Sequence, residues 1–167
     1  MNEIEALITE QIPRLRRYAR ALTADRTSAD DLVQDTLERA WGKFYMWRRG
    51  SDMRAWMFSI MHNTFINHIR KNQVTTVSMD EDALEVPTRA TQNDALEMRD
   101  LASAIVKLPC EYREVVLLIG LEEMSYEEVA QVLNIPMGTV MSRLSRGRER
   151  LRILMAGESA PVLRRVK

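Results

Sequence analysis

Cysteine is almost missing from this chain. The single thiol, Cys110, has no partner for an internal disulfide, and with only two histidines, His62 and His68, a Cys/His zinc site lacks ligands. Long apolar runs are missing too. The longest stretch without a charged residue, Ala55 to Ile69, has 15 residues and contains Asn63, Asn67 and both histidines, too short and too polar to span a bilayer. The first ten residues hold three acids and no basic run, so no secretory leader is expected. No nucleophile–base pair or metal-ligand cluster stands out, which leaves an enzyme on an all-α scaffold without chemistry. These absences predict a soluble cytoplasmic protein with no cofactor, no metal and no catalytic residue.

Net charge is zero over 167 residues, which at first argues against a nucleic-acid partner. Its distribution argues the other way. Residues 1–74 carry +3, residues 75–100 carry −5, residues 101–136 carry −4, and residues 137–167 carry +6. A basic front and a basic end around an acidic middle fit contact with DNA at two separated places.

The basic end contains the most legible stretch, Ser125 to Leu151. Ser125 followed by Glu128 is a capping-box helix start. Val129, Val132 and Leu133 then share one helical face. Asn134-Ile135-Pro136 breaks that helix, and Pro136 can occupy the first turn of another. Val140, Leu144 and Leu151 continue an inward stripe, interrupted by Gly147, while Arg143, Arg146, Arg148, Arg150 and Arg152 occupy the other faces. The pattern is that of a helix-turn-helix whose second helix enters the major groove. A solvated basic helix in an all-α bundle is the plainer alternative.

Upstream, a short helix is expected over Glu3 to Gln11 and a second from Pro13 to Leu22, with Arg14, Arg16, Arg17 and Arg20 facing outward, solvated or against phosphate. A helix from Ser28 to about Tyr45 buries Leu32, Val33, Thr36, Leu37, Ala40, Trp41 and Phe44. Its opposite face carries Asp31, Gln34, Asp35 and Glu38, an acidic stripe that is either solvated or a docking face for a basic protein. Lys43 to Arg54 mixes aromatic and basic residues, including Tyr45, Trp47, Arg48 and Arg49. Such a loop suits unpaired bases, which stack on rings while Arg meets phosphate, or it caps the core. The helix from Met53 to Lys71 presents Ser59, Asn63, Asn67 and Arg70 as a polar stripe able to read unpaired bases. An acidic, period-free segment follows, and a domain boundary is placed there. Helices are expected over Asp94 to Lys107, with Leu96, Leu101, Ala104 and Ile105 inward, and over Cys110 to Leu121.

Four of these segments resemble one family. The run from Asp31 to Trp41 (DLVQDTLERAW), that from Arg54 to Asn63 (RAWMFSIMHN), Leu108-Pro109 with Arg113-Glu114, and Ser125 to Arg146 are similar to bacterial RNA polymerase sigma factors of the extracytoplasmic-function (ECF) group. The resemblance runs from about residue 5 to residue 153. It implies an all-α fold of two small helical domains joined by a flexible linker: sigma region 2 over 1–74, an acidic linker over 75–95, sigma region 4 over 96–155 and a basic tail over 156–167. It also implies a function, in which the chain binds RNA polymerase core, recognises the −10 and −35 promoter elements, helps open the promoter, and is held in check by an anti-sigma factor.

Roles for single residues follow from the same resemblance. Asp31, Gln34, Asp35 and Glu38 would dock on the clamp helices of the largest polymerase subunit. Tyr45, Trp47, Arg48, Arg49, Asn63, Asn67 and Arg70 would capture the unwound −10 strand, with one base flipped into a loop pocket. Thr139, Met141, Ser142, Arg143, Ser145, Arg146 and Arg150 would meet the −35 duplex, Arg143 and Arg150 nearer the phosphates. Met141 stands where many relatives carry Lys or Arg, and Asn67 where many carry Asp, so the promoter sequence is expected to depart from theirs. The alternative is a stand-alone helix-turn-helix regulator, which explains residues 100–153 equally well but not the aromatic-basic loop and Asn stripe of 44–70.

Overall fold

The structure is a computed structural model, and it describes residues 2–75 and 93–159. Seven α-helices account for most of them: α1 (Glu3–Thr23), α2 (Arg26–Lys43), α3 (Met53–Thr75), α4 (Asn93–Val106), α5 (Cys110–Gly120), α6 (Tyr126–Leu133) and α7 (Met137–Ser159). There is no strand among the described residues. The fold is all-α, with helices α1–α3 forming one unit and α4–α7 a second. The boundary expected over 75–95 falls largely outside the described residues.

The first unit is built on a stripe of long period. Ile8, Leu15 and Leu22 recur every seven residues along α1 and are all fully buried, with Tyr18 and Ala19 beside them. The two helices expected here are therefore one. Pro13 lies inside α1 on its exposed side, where the stripe carries the helix past the lost backbone donor. Tyr18 meets Phe58 of α3 edge to face, with ring centroids 5.1 Å apart. Burial, reinforced by the charges of Glu114 and Glu122, pushes the Tyr18 phenol well above its ordinary value.

Helix α2 begins two residues earlier than the sequence reading placed it. Asp25, not Ser28, is the N-cap, and its carboxylate accepts from the Ser28 backbone at 3.1 Å and the Ser28 hydroxyl at 2.6 Å. The hydroxyl bond above all holds the Asp25 carboxyl below its usual range. Ala29, Leu32, Val33, Thr36 and Ala40 are buried, but Trp41 and Phe44, expected in the core, are about two-fifths exposed. The helix stops at Lys43, so the inward period does not carry through to Phe44.

The second unit packs α5 and α6 against α7. Val115, Leu117, Leu118, Val129, Val132, Leu133, Val140 and Leu144 are buried in it. Leu101, expected to be inward on α4, is instead on the surface, whereas Ala104 is buried. Gly147 allows α7 to approach α5. A Cβ there would stand 2.7 Å from Val116 Cγ2, closer than side chains come.

Candidate nucleic-acid interface

The helix-turn-helix forms as its local chemistry dictates. Ser125 Oγ accepts from the Glu128 backbone at 3.1 Å, and the Glu128 carboxylate accepts in return from the Ser125 backbone at 3.5 Å. Asn134 ends α6 in the left-handed region at φ 53°, a conformation asparagine tolerates. The Pro136 carbonyl then accepts from Thr139 and Val140 and opens α7. Val129, Val132 and Leu133 below and Val140 and Leu144 above fix the angle between the two helices.

That angle leaves Met141, Ser142, Ser145 and Arg146 exposed along the start of α7, with Thr139 half-buried at its base. The Ser142 hydroxyl donates to the Thr139 carbonyl at 3.3 Å. A shallow groove of about 320 Å³ between α6 and α7 brings Met141 and Ser145 together with Tyr126, Arg148 and Arg152. Arg143 and Arg150 point to the other side. Arg143 pairs with Glu111 at 3.5 Å, and the Arg150 guanidinium lies 5.4 Å from the centre of the Tyr112 ring. These two flank the reading face and are partly engaged by α5.

In the first unit, a single 3-10 turn, Phe44–Met46, follows α2. It holds Tyr45 74% exposed and Met46 65% exposed, an unusual display of apolar surface. Arg48 and Arg49 are exposed beside it, and Trp47 is half-buried with its indole nitrogen buried and unpartnered. Gly50, at φ +88°, and the bond from Ser51 N to the Arg48 carbonyl at 3.0 Å close this loop, and Asp52 caps α3 through a 3.0 Å bond from the Arg54 backbone. On α3, Asn63 and Arg70 are exposed and Asn67 is half-buried. Phe44 and Trp41 join this surface. A stripe extrapolated past the true helix end hid Phe44, whereas Trp41 lies in the last turn of α2 on its outer side; the dense aromatic run itself was the signal that could have found both.

The acidic stripe of α2 is only partly free. Asp31, Gln34 and Glu38 are exposed, whereas Asp35 accepts from His68 Nε2 at 2.6 Å. The other histidine, His62, bonds to Glu114. Both histidines are thus paired with carboxylates. Among the described residues, no three His, Cys, Asp or Glu side chains converge as a metal site requires, and no helix is long and apolar enough to cross a membrane.

With a two-unit helical fold, an exposed aromatic-basic loop and a helix-turn-helix in one chain, the class is that of a two-domain transcription-initiation factor. The family described as the Sigma2 domain of PhyR matches residues 8–62, and the family described as Sigma-70, region 4 matches residues 98–151. The ECF RNA polymerase sigma factor EcfG of Rhodopseudomonas palustris is 34% identical over 92% of this chain and 85% of its own length. The ECF RNA polymerase sigma factor SigM of Bacillus subtilis is 30% identical over 83% of this chain and 86% of its own. Among solved structures, the sigma factor RpoE in complex with the anti-sigma factor NepR from Bartonella quintana superimposes with a TM-score of 0.77 at 31% identity, covering 93% of this chain and 98% of that one. The chain belongs to the ECF RNA polymerase sigma factors.

Proposed function

We propose that this chain is a promoter-specificity subunit. It binds RNA polymerase core, captures the unwound −10 strand with the first unit, reads the −35 duplex with the second, and has no catalytic role of its own. The working domain limits are region 2 over 1–74, linker over 75–95, region 4 over 96–155 and a basic tail over 156–167. The observation that carries the reading is the pairing, in one chain, of two nucleic-acid surfaces of different kinds. The Tyr45–Arg49 loop offers aromatic faces and cations to unstacked bases. The Met141–Arg146 face offers the short polar, apolar and guanidinium groups that suit base edges in duplex DNA. A stand-alone regulator has use for the second surface only.

Asp31, Gln34 and Glu38, exposed on α2, would meet the polymerase, with Asp35 held in place by His68. The site of action is the cytoplasm, where the polymerase is. An anti-sigma partner is proposed as well, supported by the NepR complex of the RpoE relative. The test is titration of the labelled chain onto core polymerase. Asp31→Arg and Glu38→Arg should weaken core binding while the affinity for −35 duplex stays unchanged. Equal loss of both, or no core binding by the unaltered chain, would remove the reading.

A further inference from the structure

The start of α7 carries more apolar surface than a helix in water needs. Met141 is 45% exposed, and Met137, one turn before it, is exposed as well. Tyr126, the first residue of α6, is exposed and lines the same groove as Met141. Single exposed apolar side chains are ordinary on a protein surface. Here three large ones gather at the helix-turn-helix. The neighbours of Met141 on the reading face, Ser142 and Ser145, carry side chains too short to cover it.

The surroundings decide what partner suits this patch. Between residues 143 and 152 stand five arginines and a single acid, Glu149. Arg152 holds that acid in a two-pronged pair at 2.6 and 2.8 Å. Such a surface draws a polyanion, and the arginines suit its phosphates. Met141 offers a phosphate nothing. Its thioether is a weak acceptor and its chain carries no N–H or O–H donor. It therefore cannot make the paired hydrogen bonds by which side chains read guanine or adenine. In the major groove the apolar group on a base edge is the C5-methyl of thymine. A flexible, polarisable thioether chain packs against such a group without a demanding geometry.

We propose that Met141 is a specificity-determining residue that reads the methyl group of one thymine in the −35 duplex. The proposal rests on α7 being the helix that reads that duplex. Arg146 addresses a different base pair, because five residues on it lies about 7.5 Å further along the helix and about 140° around it. One residue of the face thus selects by hydrogen bonding and the other by apolar contact. A methyl contact neutralises no phosphate, so Met141 contributes to sequence preference and not to salt dependence.

The test uses the full chain bound to polymerase core, on promoter fragments whose −35 element comes from a randomised library. Each thymine of that element is replaced in turn by deoxyuridine, which lacks only the C5-methyl. At one thymine the replacement should weaken binding about fourfold, the scale of one hydrocarbon group taken out of water. Met141→Ala should bind the thymine and deoxyuridine fragments alike, with an unchanged salt slope. Met141 is exposed and alanine favours a helix, so this variant should fold, as circular dichroism checks. Met141→Leu, still apolar, should keep the difference, and Met137→Ala should leave it intact. An element with no methyl-sensitive thymine would overturn the proposal. So would a methyl effect that survives Met141→Ala, or one that is lost in Met137→Ala. A holoenzyme with no −35 preference at all removes the reading role of α7 and this inference with it. A preserved preference without a methyl effect removes this inference alone.

Discussion

Gly147 of α7 and Val116 of α5 approach so closely that no side chain fits between them: a Cβ on residue 147 would stand 2.7 Å from Val116 Cγ2 and 3.4 Å from Tyr112 Cβ. In an open helix Gly→Ala gains about 1 kcal/mol from propensity. Here the stiff branched side chain of Val116 cannot move aside cheaply, and overpacking costs about 1–3 kcal/mol. Gly147→Ala should therefore lower the melting temperature, and Val116→Ala in the same chain should recover part of the loss. A Gly147→Ala variant more stable than the parent would contradict the close approach.

Ser125 closes the N-terminus of α6 with Glu128. Ser125→Ala leaves the orphan donors of that turn unsatisfied and should cost about 1 kcal/mol. Calorimetry should show the loss, while Ser125→Asp, another good cap, should show little.

Tyr18 gives the fold a limit at alkaline pH. Its phenol ionises above its ordinary value because the buried site disfavours the phenolate. The unfolded chain ionises near pH 10, so the stabilisation is complete below that pH. It falls as pH rises from there through the folded value. The melting temperature should drop steeply above about pH 10, and less steeply in Tyr18→Phe. Identical alkaline slopes for the two would remove Tyr18 as the cause.

Arg146 is exposed at the start of α7, without a carboxylate partner among the ion pairs described, and so is free to reach a base edge. Arg146→Ala should weaken −35 duplex binding by about 1–3 kcal/mol and relax specificity at one base pair. Arg150, stacked on Tyr112, should affect binding uniformly across sequences. A promoter preference unchanged by Arg146→Ala would count against its role.

Local chemistry was legible and distant pairing was not. The capping box at Ser125, the break at Asn134–Pro136 and the stripe Val129, Val132, Val140 and Leu144 lie within 20 residues of one another and follow from helix periodicity alone. Pro13 misled because a local breaker was weighed without the seven-residue stripe of Ile8, Leu15 and Leu22 that spans it. The exposure of Phe44 depended on where α2 stops, and helix ends are less firmly encoded than helix faces. Nothing in the sequence pairs Arg17, Arg54, His62 or Arg113 with a distant partner. Their partners lie 52 to 105 residues away for the pairs with Glu114, Glu128, Leu22 and Glu122, and no periodicity reports such contacts.

The most direct measurement is run-off transcription by core polymerase and this chain on a randomised promoter library, with core affinity measured in parallel. The account predicts tight core binding and initiation only from templates that share both a −35 duplex motif and a −10 motif opened to single strands. Protection of duplex DNA by the chain alone, with no core binding and no sequence-dependent initiation, would contradict it and leave the exposed Tyr45–Arg49 loop without a purpose.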